Sequence, residues 1–82
     1  MINFEELIQN LILPLVAYPQ DVEISLLDSD EEDKMEFQVK VNPSDFGRVI
    51  GKGGHIAQAI RTILYAGASK EGKKIFLDIA SK

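Results

Sequence analysis

The 82-residue chain has no cysteine or tryptophan and only one histidine. The absence of cysteine excludes disulfides, thiolate metal sites and cysteine nucleophiles, and fits a reducing cytosol. A lone histidine with no matching nucleophile or base is poor support for catalysis. We therefore expect a protein that is not an enzyme and uses no metal or cofactor.

Long hydrophobic runs are also missing. The segment Leu11–Val16, which contains Pro14, is far too short to span a bilayer, because a membrane-spanning helix needs about 20 apolar residues. The first residues, Met1 to Glu6, lack the basic region of a signal peptide. These features predict a cytoplasmic protein with no membrane insertion.

The residues that are present have the composition of an ordinary globular domain, with 45% hydrophobic and 27% charged residues. The length fits a single domain over residues 1–82 and leaves no room for a separate catalytic module. Because a chain this short builds only a small core, a partner subunit would add to its stability.

Charge is distributed unevenly along the chain, whose net charge is −4. Residues 1–42 hold ten acidic and two basic residues, whereas residues 43–82 hold three acidic and seven basic ones. The overall acidity argues against a phosphate-rich ligand, but the basic half offers a local surface for one.

Periodicity predicts the elements of the N-terminal half. Asn3 begins a capping-box pattern, and apolar residues at helical spacing follow, so a helix is expected over 3–17 and should end or kink at Pro14. Alternating apolar residues predict a β-hairpin over 22–41. Its loop, 28–33, carries five acidic residues without the spacing of an EF-hand and is expected to be a solvated turn.

The C-terminal half begins with a helix-start signal, Asn42 followed by Pro43. A helix–turn–helix is expected over 43–66, stopped by Gly67, and a last strand over 74–80. The order α-β-β-α-α-β makes this an α+β chain. Because two helices join the second and third strands, these strands should pair in parallel within a three-stranded mixed sheet covered by helices.

A glycine-rich turn, Gly51–Gly54, lies between the two helices. The P-loop pattern fails because Gly47 and Gly51 enclose three residues instead of four. The dinucleotide fingerprint fails because it needs a small residue where Ile56 stands and a strand before the loop. A G-x-x-G turn between helices remains.

This turn has a clear physical use with phosphates. Glycine at both ends lets a sugar-phosphate backbone approach without meeting a Cβ atom, and the following helix directs N–H groups and its positive dipole end at the phosphates. Lys52 adds a positive charge at the tip. Apolar residues on both sides can form the floor of a groove for unstacked bases.

The residues around this turn carry a family resemblance. Val49 to Gly54, followed by Ile56 and Ile60, resembles the VIGxxG signature of KH domains, whose loop clamps about four nucleotides. The helix-first order resembles the type II KH arrangement. The segment 42–61 and the chain length are similar to small bacterial KH proteins of the KhpA type.

The resemblance implies a stand-alone cytosolic protein that binds single-stranded RNA. It also implies a homodimer, a complex with a larger KH-containing protein, or both, with a role in RNA regulation and in cell envelope growth and division. The candidate RNA-binding residues are Arg48, Ile50, Gly51, Lys52, Gly53, Gly54, His55, Ile56, Ile60 and Arg61.

Each candidate also has a purely structural interpretation. The glycines could only make a tight turn, the isoleucines could belong to the core, and the charged side chains could be solvated. Lysines 70, 73 and 74 lie in what the resemblance makes the loop beside the groove, and no aromatic stacking is expected. The acidic half leaves open an alternative, a KH-fold module that binds mainly protein.

Overall fold

A computed structural model describes residues 2–27 and 32–82. The predicted α+β class and element order are confirmed. Most of the predicted acidic loop, residues 28–31, lies outside the described residues. The elements are α1 (Phe4–Ile12), β1 (Glu23–Leu27), β2 (Lys34–Val41), α2 (Pro43–Ile50), α3 (His55–Lys70) and β3 (Lys74–Ser81), with short 3-10 turns at Leu13–Leu15, Pro19–Asp21 and Lys52–Gly54.

The sheet has the predicted mixed topology, with strand order β1-β2-β3. β1 pairs with β2 antiparallel, and β2 pairs with β3 in parallel, so that Phe37 stands opposite Leu77. Alternate residues of β3 point to opposite faces. Leu77 is buried against the helices, whereas Phe76 and Asp78 on the other face are exposed. The helices therefore cover one face of the sheet.

α1 is shorter than the sequence predicted. Asn3 caps it as expected, because its side chain accepts a hydrogen bond from the Glu6 amide at 3.1 Å. The α-helix ends at Ile12, however, and a 3-10 turn containing Pro14 follows it. Proline cannot donate a backbone hydrogen bond, and its ring clashes with the preceding turn, so the expected end at residue 17 is wrong.

α3 is longer than predicted, because Gly67 does not stop it. A Cβ atom at Gly67 would lie 3.1 Å from Ile2 Cδ1 and 3.4 Å from Phe4 Cε1. Because glycine has no side chain, the N-terminal segment can pack closely against α3 at this position. The helix ends instead at Lys70, and Gly72, two residues farther on, has a φ of +67°. The Gly72 amide donates to the Ser69 carbonyl at 3.1 Å, and the Lys73 amide donates to the Ala68 carbonyl at 2.9 Å. This pair of hydrogen bonds is the Schellman motif.

α2 starts at the predicted cap and is anchored by a buried acid. The Asn42 side chain accepts a hydrogen bond from the Ser44 amide at 2.8 Å. Asp45, in the first turn, is 1% exposed, and its two carboxylate oxygens accept hydrogen bonds from the amides of Ala17 and Tyr18 at 2.9 and 3.0 Å. One side chain thus fixes the segment after α1 to the helix that leads into the glycine turn.

Asp45→Asn is expected to lower the free energy of unfolding by about 2 kcal/mol, because only one amide oxygen remains to accept two donors. Asp78→Asn, at an exposed position whose carboxylate accepts a hydrogen bond from Gln38 at 3.3 Å, should change it by less than about 0.5 kcal/mol. Urea unfolding followed by circular dichroism measures both variants. Equal stability of the two would show that the buried carboxylate does not anchor the segment.

Candidate nucleic-acid interface

The turn between α2 and α3 is built from backbone conformations that favour glycine. Gly51, Gly53 and Gly54 have φ values of +76°, +64° and +79°. The Gly51 amide donates to the Gly47 carbonyl at 2.8 Å, and the Gly54 amide donates to the Gly51 carbonyl at 3.1 Å. The chain therefore reverses between the helices within four residues, and α3 begins with Gly54 as a cap that has no side chain.

The three glycines differ in what surrounds them. A Cβ atom at Gly51 would lie 2.6 Å from Ile56 Cγ1, so this glycine is required by packing inside the protein. A Cβ atom at Gly54 would meet no atom within 4 Å, and one at Gly53 would come no closer than 3.5 Å, to the ring of His55. The outer half of the turn is therefore open to an approaching ligand.

Positively charged and polar side chains surround this open side. Lys52 and His55 are exposed at the turn and at the first residue of α3. Arg48, one turn earlier on α2, has a side chain that is 66% exposed and lies 3.9 Å from the Asp45 carboxylate. The first turn of α3 adds amide groups and a positive dipole end. The structure thus brings Lys52, His55 and Arg48 to one end of the helix pair.

The predicted isoleucines do not all reach the surface. Ile50 and Ile56 are half-buried and flank the turn. Ile60 is 4% exposed and belongs to the core, which leaves it little surface for a ligand. The aliphatic part of the candidate site is therefore narrower than the sequence indicated.

Arg61 lies apart from the turn. It is seven residues beyond Gly54 on α3, about 10 Å along the helix axis. Its Nε donates to the Leu77 carbonyl of β3 at 3.2 Å. The guanidinium therefore bridges α3 and the edge strand β3, on a surface that continues from the turn.

A second feature was missed by sequence reasoning, which expected no aromatic residues at the site. A pocket of about 480 Å³ lies at the far end of α3, next to the loop before β3. Tyr65 and Phe76 line it and are 43% and 48% exposed. The sequence contained one indication of the exposed Phe76. Because side chains alternate along β3, Phe76 points to the face opposite that of the buried residues on either side of it.

Within residues 2–27 and 32–82, no helix is long and apolar enough to cross a membrane. In the same residues, no group of three or more histidine, aspartate or glutamate side chains is placed to hold a metal ion.

Comparison with known families gives a match over nearly the whole chain. The model described as "KhpA/KhpB, KH domain" matches residues 5–79. The RNA-binding protein KhpA of Listeria monocytogenes serovar 1/2a is 48% identical over 75 residues, covering 92% of this chain and 96% of the relative. The protein of the same name from Oceanobacillus iheyensis is 44% identical over 73 residues, covering 89% and 95%.

A more distant relative and a solved structure extend the comparison. RNA-binding protein KhpA of Bacillus subtilis is 36% identical over 77 residues, covering 94% of this chain and 93% of the relative. The crystal structure of Era in complex with MgGDPNP and nucleotides 1506–1542 of 16S ribosomal RNA superposes with a TM-score of 0.66 at 15% identity, covering 94% of this chain and 29% of Era. That likeness concerns the fold alone.

Proposed function

Since the chain belongs to the KhpA/KhpB KH-domain family, we propose that it binds single-stranded RNA through the Gly51–Gly54 turn. The observation that carries the proposal is the open outer half of the turn, where Gly53 and Gly54 have positive φ and no close neighbours on the Cβ side. A phosphate can approach this backbone more closely than it could approach one with side chains. The type II KH-like fold predicted from the sequence is confirmed.

In this proposal the glycine turn and the start of α3 hold the sugar-phosphate backbone of the RNA. The amides at the start of α3 and the Lys52 ammonium group contact phosphates, with Arg48 and His55 beside them. Bases then lie against the half-buried edges of Ile50 and Ile56. Arg61 contacts the strand farther along α3, and Ile60 supports the floor from within the core.

No step in this function is chemical. The prediction that the chain is not an enzyme is confirmed by its family. The site acts by electrostatic attraction to phosphates and by apolar contact with bases, which needs no general base and no cofactor.

The affinity of one domain is expected to be weak, because the turn offers few phosphate contacts. Self-association, or pairing with a larger KH-containing protein, would raise the effective concentration of a second site. We include both partners in the proposal, together with a cytoplasmic location and a role in RNA regulation linked to cell envelope growth and division. These parts rest on the family resemblance.

A salt titration tests RNA binding against the alternative of a module that binds mainly protein. Two phosphate contacts on a single strand predict a slope of log affinity against log salt of about −1.4, or about a sevenfold loss between 50 and 200 mM. Fluorescence anisotropy with a labelled 12-nucleotide RNA measures the slope, and sedimentation of the same samples gives the mass of the complex. Undetectable RNA binding by folded protein, beside a stable complex with another protein, would favour the alternative.

A further inference from the structure

The face of α3 that begins at the glycine turn continues to the aromatic pocket. Gly54, Gln58, Arg61 and Tyr65 follow one another at steps of four, three and four residues, which places them on one side of a helix. Arg61 is tied to β3 in the middle of this line. An RNA strand held at the turn and running along this side would reach Tyr65 about 16 Å farther on.

The residues that line the pocket suit a flat, negatively charged ligand. Tyr65 comes from α3, Lys73 from the loop before β3, and Lys74 and Phe76 from the start of β3. Since Phe76 belongs to the sheet face away from the helices, it borders the pocket at the edge of the sheet. Among the lining residues that the structure describes, Asp33 is the one acid, and it is exposed to solvent. The volume of about 480 Å³ lies in the range of small-molecule sites.

Two contacts hold the walls of the pocket in place. The Lys74 amide donates to the Asp33 carbonyl at 2.8 Å, which fixes the start of β3 to the start of β2. Lys34 lies with its ammonium group 5.0 Å from the centre of the Phe76 ring, although it does not line the pocket. The Phe76 ring thus makes a cation–π contact with Lys34, and the residue stays 48% exposed.

We propose that this pocket binds a nucleobase of the same RNA strand that the glycine turn holds. The base stacks on Tyr65, and Lys73 and Lys74 contact the neighbouring phosphate. The inference rests on the proposed RNA binding and extends its footprint beyond the four or so nucleotides that a KH loop clamps. Lysines at the pocket and continuity with the turn favour RNA over a protein segment as the occupant.

The chain offers an intrinsic probe for this contact. It has two tyrosines and no tryptophan, so Tyr18→Phe leaves Tyr65 as the only tyrosine. Addition of an unlabelled 12-nucleotide RNA to this variant should quench tyrosine fluorescence along the same curve as binding measured by anisotropy. Unchanged emission at saturation would overturn the proposal, and would leave the pocket to a protein partner.

A second variant separates this site from the glycine turn. Tyr65→Leu keeps an apolar side chain but removes the ring, and should weaken binding of the 12-nucleotide RNA by about tenfold. Binding of a four-nucleotide RNA, followed by NMR shifts at the glycine turn, should not change. Equal losses for both RNAs, or none for the longer one, would overturn the pocket proposal alone, whereas failure of the wild-type protein to bind either RNA would overturn the proposed function as well.

Discussion

Lys52→Glu is expected to lower the affinity for single-stranded RNA by at least about tenfold, because it replaces a charge-assisted phosphate contact with repulsion at the start of α3. The side chain is exposed, so the fold should be unaffected. Gly53→Asp should also weaken binding, because it places a negative charge at the turn. The fold should tolerate this change, since aspartate is among the residues that best tolerate positive φ. Anisotropy with the 12-nucleotide RNA measures both losses.

Lys40→Glu provides the matched control for Lys52→Glu. It makes the same change in net charge at an exposed position of β2, on the sheet face away from the helices, since its neighbours Val39 and Val41 are buried. RNA binding by this variant should stay within about twofold of the wild type at 0.15 M salt, where the Debye length is about 8 Å. Equal weakening by Lys40→Glu and Lys52→Glu would mean that net charge alone governs binding, and unchanged affinity of Lys52→Glu would remove the turn from the proposed site.

Gly51→Ala should destabilise the protein by about 3 kcal/mol or more. Its φ of +76° and ψ of 171° lie in a region that is essentially restricted to glycine, which alone costs an alanine about 1–3 kcal/mol. The new methyl group would also lie 2.6 Å from Ile56 Cγ1, so the packing between α2 and α3 must shift. Both effects act on the same helix junction.

Gly54→Ala separates these two causes. Gly54 has a left-handed φ of +79°, but an added methyl group there meets no atom within 4 Å. Its cost should be backbone strain alone, about 1 kcal/mol. Urea unfolding of the two variants would give the difference, and similar stabilities would show that the contact with Ile56 does not hold the turn. Because we expect the Gly54 variant to remain folded, its RNA affinity also reports directly on ligand access.

Local patterns predicted the elements well but placed some of their ends wrongly. Gly67 and Gly72 both look like helix stops in sequence, and local preference cannot choose between them. The choice depends on Ile2 and Phe4, which pack against Gly67 from the other end of the chain. Pro14 indicates a break, but the apolar spacing continues to Leu15, so the pattern alone predicts a helix that runs past the proline.

The site was predictable where it depends on local chemistry. Glycine spacing and Lys52 were enough to place the turn, and the structure adds which glycine is packed and which are open. The anchoring role of Asp45 could not be read from sequence, because its partners lie 27 and 28 residues away. The same holds for the Tyr65–Phe76 pocket, which forms only when α3 and β3 come together.

The parallel pairing of β2 with β3 also governs when this surface comes into existence. Paired residues of the two strands, such as Gln38 and Asp78, are 40 positions apart in the chain, and α2, the glycine turn and α3 all lie between them. Such distant contacts are formed late and slowly compared with those within a helix. During synthesis, therefore, the α2–α3 pair lacks the strand that Arg61 contacts until β3 has left the ribosome. A nascent chain without β3 has the G-x-x-G turn in its sequence but not the continuous surface along α3.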